Sequence, residues 1–279
     1  MLHIFKTGLS KTLATFTKDT SKESLEFEFV SCNGSADKRK TLNIYVHGYS
    51  AIMTPLDKYK MKSKIGVKCV SNYRNFLFTW ASGSVAKHLA TPQKLQTLGM
   101  LLSASTGFKD RILLGAKSTM DLFDHFKGHQ TKCEVLGEHI LLQEIKKFFK
   151  LEDFSETKIN LIGHSLGCRM ILTALQKNKE LAQKMKIENV ILLAGATSKD
   201  IDWWEIVSAI NGNVYNFYSD TDLVLIAKPD SEKSIGRYPI TDTKAPLHRI
   251  KNYQTGIAHW SYWEELEKLL RTTELFGEK

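Results

Sequence analysis

Gly163-His164-Ser165-Leu166-Gly167 sets a serine between two glycines, directly after the apolar run Ile159 to Ile162 and directly before a helical pattern. A strand that turns sharply into a helix at a G-x-S-x-G lifts the serine hydroxyl clear of the backbone. Gly163 and Gly167 are needed because neighbouring chain passes too close for side chains. The helix behind the turn aims its amide dipole at the serine and favours negative charge developing there. The chemistry that follows is nucleophilic attack by Ser165. Such attack needs amides to hold the resulting oxyanion. Val46-His47-Gly48-Tyr49 ends an earlier strand, and Gly48 lets that loop approach a reacting carbonyl. The expected donors are the backbone N–H groups of Tyr49 and Leu166. His47 precedes the nucleophile in the chain and reads as a loop brace rather than a base.

A serine of this kind also needs a base, and the base an orienting acid. With this type of elbow the chain order is serine, acid, histidine. Ser219-Asp220-Thr221-Asp222 follows the strand-like run Val214 to Tyr218 and precedes Leu223-Val224-Leu225. Asp222 is the preferred acid, because a few residues of turn are needed before the chain points back across the sheet. Asp220 is the alternative. His259 lies after the short strand candidate Arg249 to Tyr253 and just before the last helical pattern, where the base is expected. His248 falls before that strand, at the wrong end. His164 and the other histidines read as structural or solvent-exposed.

The elements that would position these residues follow one rhythm. Leu25 to Val30 alternates with period two, as a half-exposed strand at a sheet edge does. Leu42 to Val46, Asn75 to Trp80, Ile159 to Ile162, Val190 to Leu193 and Val214 to Tyr218 are short apolar runs suited to strands buried on both faces. Helical spacing recurs over Val135 to Phe149, Met170 to Met185 and Tyr262 to Leu270. Strands alternating with helices predict a doubly wound, mostly parallel α/β sheet, with residues 1–279 as one domain. Residues 81–132 exceed what a simple crossover needs. Their apolar stretches Leu95 to Leu102 and Ile112 to Phe126 predict a helical excursion, either a lid or cap over Ser165 or helices packed on the domain body.

Composition narrows the class. Hydrophobic residues make up 42% of the chain and only 5 residues are proline, so a core can form without metals or disulfides. The 4 cysteines are scattered, with no C-x-x-C, and are expected as free thiols in a reducing, cytoplasmic setting. No apolar run reaches a membrane span, and the first residues lack the apolar core of a secretory signal. They are expected to form a first strand or helix, with an amphipathic surface segment as the alternative. The net charge of +9 is spread in short patches such as Lys38-Arg39-Lys40 and Lys58 to Lys64. These are solvated faces or a means of peripheral contact with anionic membrane. Nothing among them has the pattern of nucleic-acid recognition. No HExxH, EF-hand or phosphate-loop pattern occurs, so neither metal nor cofactor is expected. Cys168 reads as small core packing.

GHSLGCRMI, YSDTDLVL and the H-x-x-Y of His259 to Tyr262 together resemble the hydrolase domain of the transmembrane and coiled-coil domain protein 4 family. HGYS followed by FTWASGS is similar to bacterial α/β-hydrolases with an HGY…WPS…HSMG pattern. The resemblance runs from about Leu42 to Trp263 and leaves 81–132 unmatched. It implies an α/β-hydrolase with nucleophile Ser165, acid Asp222 and base His259, acting on ester or lipid substrates. The membrane-spanning segments of those eukaryotic relatives are not seen in this sequence. Cleavage of a carboxylic ester, in particular a lipid acyl ester, is the expected activity. An amide or thioester hydrolase with the same residues, or a non-catalytic binding protein on the same fold, are the alternatives.

Overall fold

A computed structural model describes residues 27–32, 41–49, 55–66, 73–83, 116–149, 157–226, 233–242, 244–273 and 275, without side chains for 116–123. Among the described residues, seven strands form one sheet: β1 (Phe27–Ser31), β2 (Thr41–Val46), β3 (Arg74–Trp80), β4 (Lys158–His164), β5 (Ile187–Leu193), β6 (Val214–Tyr218) and β7 (Ile250–Gln254). Their spatial order is β1-β3-β2-β4-β5-β6-β7. The edge strand β1 runs antiparallel to β3, and every other pairing is parallel. All seven coincide with runs read from the sequence. The period-two strand lies at one edge and is half-buried throughout.

Helices cover both faces, as a parallel sheet requires. On one face, α1 (Pro55–Ile65) and α8 (Leu266–Thr272) contribute Ile65, Leu266, Leu269 and Leu270 to a core with Tyr45, Ile162 and Phe217. The opposite face carries α2 (Ala116–Leu136), α3 (Leu142–Phe148), α4 (Leu166–Lys177), α5 (Lys179–Lys184) and α6 (Trp203–Ser208). Leu136, Met170, Leu175 and Ile206 are among the residues that fill this second core. A four-residue helix, α7 (Leu223–Ile226), follows β6.

Three helical expectations shift in their limits. The pattern over Val135 to Phe149 is the end of a longer run, because the chain stays helical from α2 through a π turn at Gly137–Leu141 into α3. At that turn a Cβ on Gly137 would lie 2.4 Å from the Met170 carbonyl, so glycine permits the close approach to α4. The Met170 to Met185 pattern divides at Asn178, which ends α4 and caps α5. Its side chain donates to the Glu138 carbonyl at 2.7 Å, the local competition for backbone groups that makes asparagine a helix breaker. The last pattern begins as a 3-10 turn, His259–Tyr262, and becomes α-helical only at Leu266. Helices α1 and α6 escaped the sequence reading because α1 alternates lysines without an apolar stripe and α6 is short.

Of the excursion, residues 84–115 lie outside the described residues. Its end at Lys132 is not a boundary, since α2 runs through it and packs on α4. The N-terminal segment, Cys69 and Lys38 to Lys40 also lie outside the described residues.

A line of buried asparagines crosses the centre of the sheet. Asn189 donates to Asn160 at 3.0 Å, Asn160 to Asn43 at 2.9 Å, and Asn43 to Asn75 at 2.9 Å. Asn75 closes the line on the Tyr73 carbonyl at 3.0 Å, and the Asn213 amide caps the other end on Asn189 at 2.9 Å. The donors all point one way across β5, β4, β2 and β3. A one-residue slip of any strand would turn its asparagine to the other face. The line therefore fixes where β2 and β4 end, and so where Gly48 meets Ser165. Asn160→Leu strands a donor on Asn189 and an acceptor on Asn43. It is expected to lower unfolding free energy by about 2–4 kcal/mol in urea titration. A loss under about 0.5 kcal/mol would show that the line contributes little.

Candidate active site

Ser165 sits between β4 and α4 with φ 53° and ψ −120°, a conformation that L side chains rarely hold. The turn is strapped down on all sides. The Ser165 N–H donates to the Leu193 carbonyl at 3.0 Å, while the Ser165 carbonyl accepts from Ala196 at 3.0 Å and Cys168 at 3.1 Å. The glycines behave as the motif demands. A Cβ on Gly163 would lie 2.8 Å from the Cys168 amide nitrogen, and one on Gly167 only 2.2 Å from the Val46 carbonyl oxygen. A Cβ on Gly48 would fall 2.6 Å from the Ser165 Cβ, so the loop after β2 lies directly against the nucleophilic turn.

Three side chains from three strand ends converge. His259 Nε2 lies 3.0 Å from Ser165 Oγ, and His259 Nδ1 lies 2.8 Å from Asp222 Oδ2. All three are buried. The other carboxylate oxygen, Asp222 Oδ1, accepts the Leu225 amide at 3.0 Å, so the turn into α7 holds the acid in place. Asp220 is exposed, and what it offers the fold is its carbonyl, which accepts from Arg237. Asp222, not Asp220, reaches the histidine. His248 is exposed in the 3-10 turn Leu247–Arg249, at the far end of β7.

The remaining predicted residues fall around this line. Leu166 opens α4, where the first amides of a helix have no intrahelical acceptor. Tyr49 follows Gly48, and its hydroxyl pairs with His125 Nδ1 at 2.6 Å, tying the loop to α2. His47 is a brace. Its Nδ1–H donates to the Gly48 carbonyl at 2.8 Å, its Nε2 accepts the Trp80 amide at 3.1 Å, and the Trp80 indole N–H returns to the His47 carbonyl at 3.0 Å. His164, read from the sequence as structural or solvent-exposed, is buried and structural. Its Nε2–H donates to the His259 carbonyl at 2.9 Å, so the elbow also holds the loop bearing the histidine. No sequence signal beyond its place inside the motif pointed to that contact. Cys168 is buried with its thiol on the Leu193 carbonyl at 3.6 Å, and burial pushes its pKa up, as it does for Cys32 and Cys133. Those three cysteines are free.

Burial lowers the His47 pKa to about 4, against a smaller opposing effect of its bond to the Gly48 carbonyl. For His164 burial, aided by nearby His259, lowers it to about 3. Both histidines are thus neutral when folded and free to take protons when unfolded. A base with a depressed folded pKa contributes stability that is complete above the unfolded value near 6.5 and is lost as pH falls toward 4. Each should give a slope of about 1.4 kcal/mol per pH unit in that window. His164→Gln is expected to remove about half of the combined slope when urea unfolding is compared between pH 6.5 and 4.5. Equal slopes for variant and parent would exclude this origin.

A seven-stranded, mostly parallel sheet with a serine elbow after β4, an acid after β6 and a histidine after β7 is the α/β-hydrolase arrangement. Residues 151–275 match a family described only as a protein of unknown function, DUF726. No curated protein matches the chain. Among solved structures, TT1662 from Thermus thermophilus is 12% identical, with 86% of this chain and 90% of that chain covered and a TM-score of 0.41. The carboxylesterase CesB from Bacillus subtilis is 13% identical, with coverages of 92% and 89% and a TM-score of 0.40. LpqC, a poly(3-hydroxybutyrate) depolymerase from Bordetella parapertussis, is 10% identical, with 90% and 85% covered and a TM-score of 0.41. Likenesses of this strength leave the reaction to be read from the residues themselves. Among the described residues, no helix is long and apolar enough to cross a membrane, and no group of three or more His, Cys, Asp or Glu side chains is gathered as metal ligands would be.

Proposed function

We propose that the protein is a serine hydrolase that cleaves carboxylic esters through an acyl-enzyme. The observation that carries this reading is the unbroken line from Ser165 Oγ through His259 to Asp222, at 3.0 Å and 2.8 Å, on a serine held at positive φ. Ser165 Oγ attacks the ester carbonyl as His259 Nε2 takes its proton. Asp222 accepts from Nδ1–H and stabilises the imidazolium. The backbone amides of Tyr49 and Leu166 hold the oxyanion, one such donor contributing about 3–4 kcal/mol in the transition state. As the ester C–O bond breaks, His259 returns the proton to the departing alkoxide. Water, deprotonated in turn by His259, then attacks the acyl carbonyl and frees Ser165.

The similarity of GHSLGCRMI, YSDTDLVL and H-x-x-Y to the transmembrane and coiled-coil domain protein 4 family accords with this reading and favours lipid acyl esters as substrates. A fluorophosphonate probe tests it, because only an activated serine reacts quickly with one. Labelling should map to Ser165 and vanish in Ser165→Ala. Labelling at a different serine, or none at all, would overturn the assignment.

A further inference from the structure

The triad has two sides, and the proton fixes what belongs on each. The carbonyl oxygen of a bound ester must face the amides of Tyr49 and Leu166. The leaving oxygen must face His259 Nε2, since that nitrogen returns the proton as the C–O bond breaks. The alcohol portion of the substrate therefore extends past His259. There the surface is apolar. Trp260 is 55% exposed, and its ring stands edge-to-face against that of His259 with centroids 5.2 Å apart. Leu223 and Ile226 of α7 are 49% and 47% exposed. Helix α7 begins directly after Asp222 and packs against the His259–Tyr262 turn that carries Trp260. Three large exposed apolar side chains thus stand on two segments that pack together, each beginning at or beside a triad residue. Scattered exposed apolar residues need no explanation, but several on packed segments at a reacting centre do.

We propose that Trp260, Leu223 and Ile226 form the leaving-group subsite, and that the ester carries a long apolar alcohol seated on it. The assignment rests on the ester-hydrolase reading above and adds to it the side of the substrate that is recognised. The occupant follows from connectivity: whatever covers the patch in the reacting complex is bonded to the oxygen that His259 protonates. Added methylenes in the alcohol should then raise kcat/KM, which reports every step through departure of the alcohol.

The test compares two ester series below their micellar thresholds. One holds the acyl group as butyrate and lengthens the alcohol from ethyl to octyl. The other holds ethyl alcohol and lengthens the acyl chain from acetyl to octanoyl. The parent enzyme should favour octyl over ethyl butyrate. Trp260→Ala and Leu223→Ser should each cut that preference by about tenfold while changing the acyl preference less than twofold. Trp260→Phe should restore most of it, because a ring is kept on the His259 edge. Leu247→Ala, an equally exposed apolar residue at the opposite end of β7, should leave the alcohol preference at the parent value. A flat alcohol series in the parent, or variants that shift the acyl series instead, would overturn the subsite while leaving the ester reading intact. No Ser165-dependent hydrolysis of any ester would overturn both.

Discussion

Ser165→Ala and His259→Ala are each expected to lower kcat on short p-nitrophenyl esters by about 10⁵–10⁶-fold. The size follows from the geometry. Ser165 Oγ is 3.0 Å from the nitrogen that must take its proton, and both groups are buried, where bulk water is poorly placed to substitute. Because the two act as one unit, the double variant should be no slower than the worse single variant. Steady-state assays with circular dichroism as a folding control check this. A His259→Ala enzyme within tenfold of the parent would mean that a different base serves Ser165.

Asp222→Asn comes next, with an expected fall in kcat of about 10²–10⁴-fold, against less than tenfold for Asp220→Asn. Asp222 presents one oxygen to His259 Nδ1–H and receives the Leu225 amide on the other. An asparagine can keep only one oxygen acceptor. If its oxygen stays on Leu225, its NH₂ faces the imidazole and selects the wrong tautomer for the attack. Asp220 is exposed and serves the fold through its carbonyl, which a side-chain change leaves in place. A larger loss for Asp220→Asn would contradict the pairing. A stability assay on Asp222→Asn separates the two causes of lost activity, since a disturbed turn lowers the unfolding midpoint and a wrong tautomer does not.

Much of this was written along the chain. Elbow, acid turn and histidine loop each depend on a few adjacent residues whose types are set by local backbone demands. Gly163 and Gly167 are required by contacts under 3 Å, and short apolar runs such as Ile159 to Ile162 suit strands buried on both faces, as in a parallel sheet covered by helices. Local composition therefore determined the strands, their class of sheet and the order of serine, acid turn and histidine. What lies between residues far apart in sequence was settled only by folding. Turn length favoured Asp222 and left Asp220 as the alternative; which carboxylate meets His259 was decided by how the turn into α7 holds Asp222, a matter of two residues that no periodicity separates. The asparagine line crosses four strands drawn from between Asn43 and Asn189, and each member alone looks like an unremarkable polar residue in an apolar run. His47 and His164 became neutral braces because burial outweighs the opposing pull of the backbone carbonyls 2.8 Å and 2.9 Å away, and that burial exists only in the folded chain. Residue type determined which groups could react; the packing of strand ends decided which of them face one another.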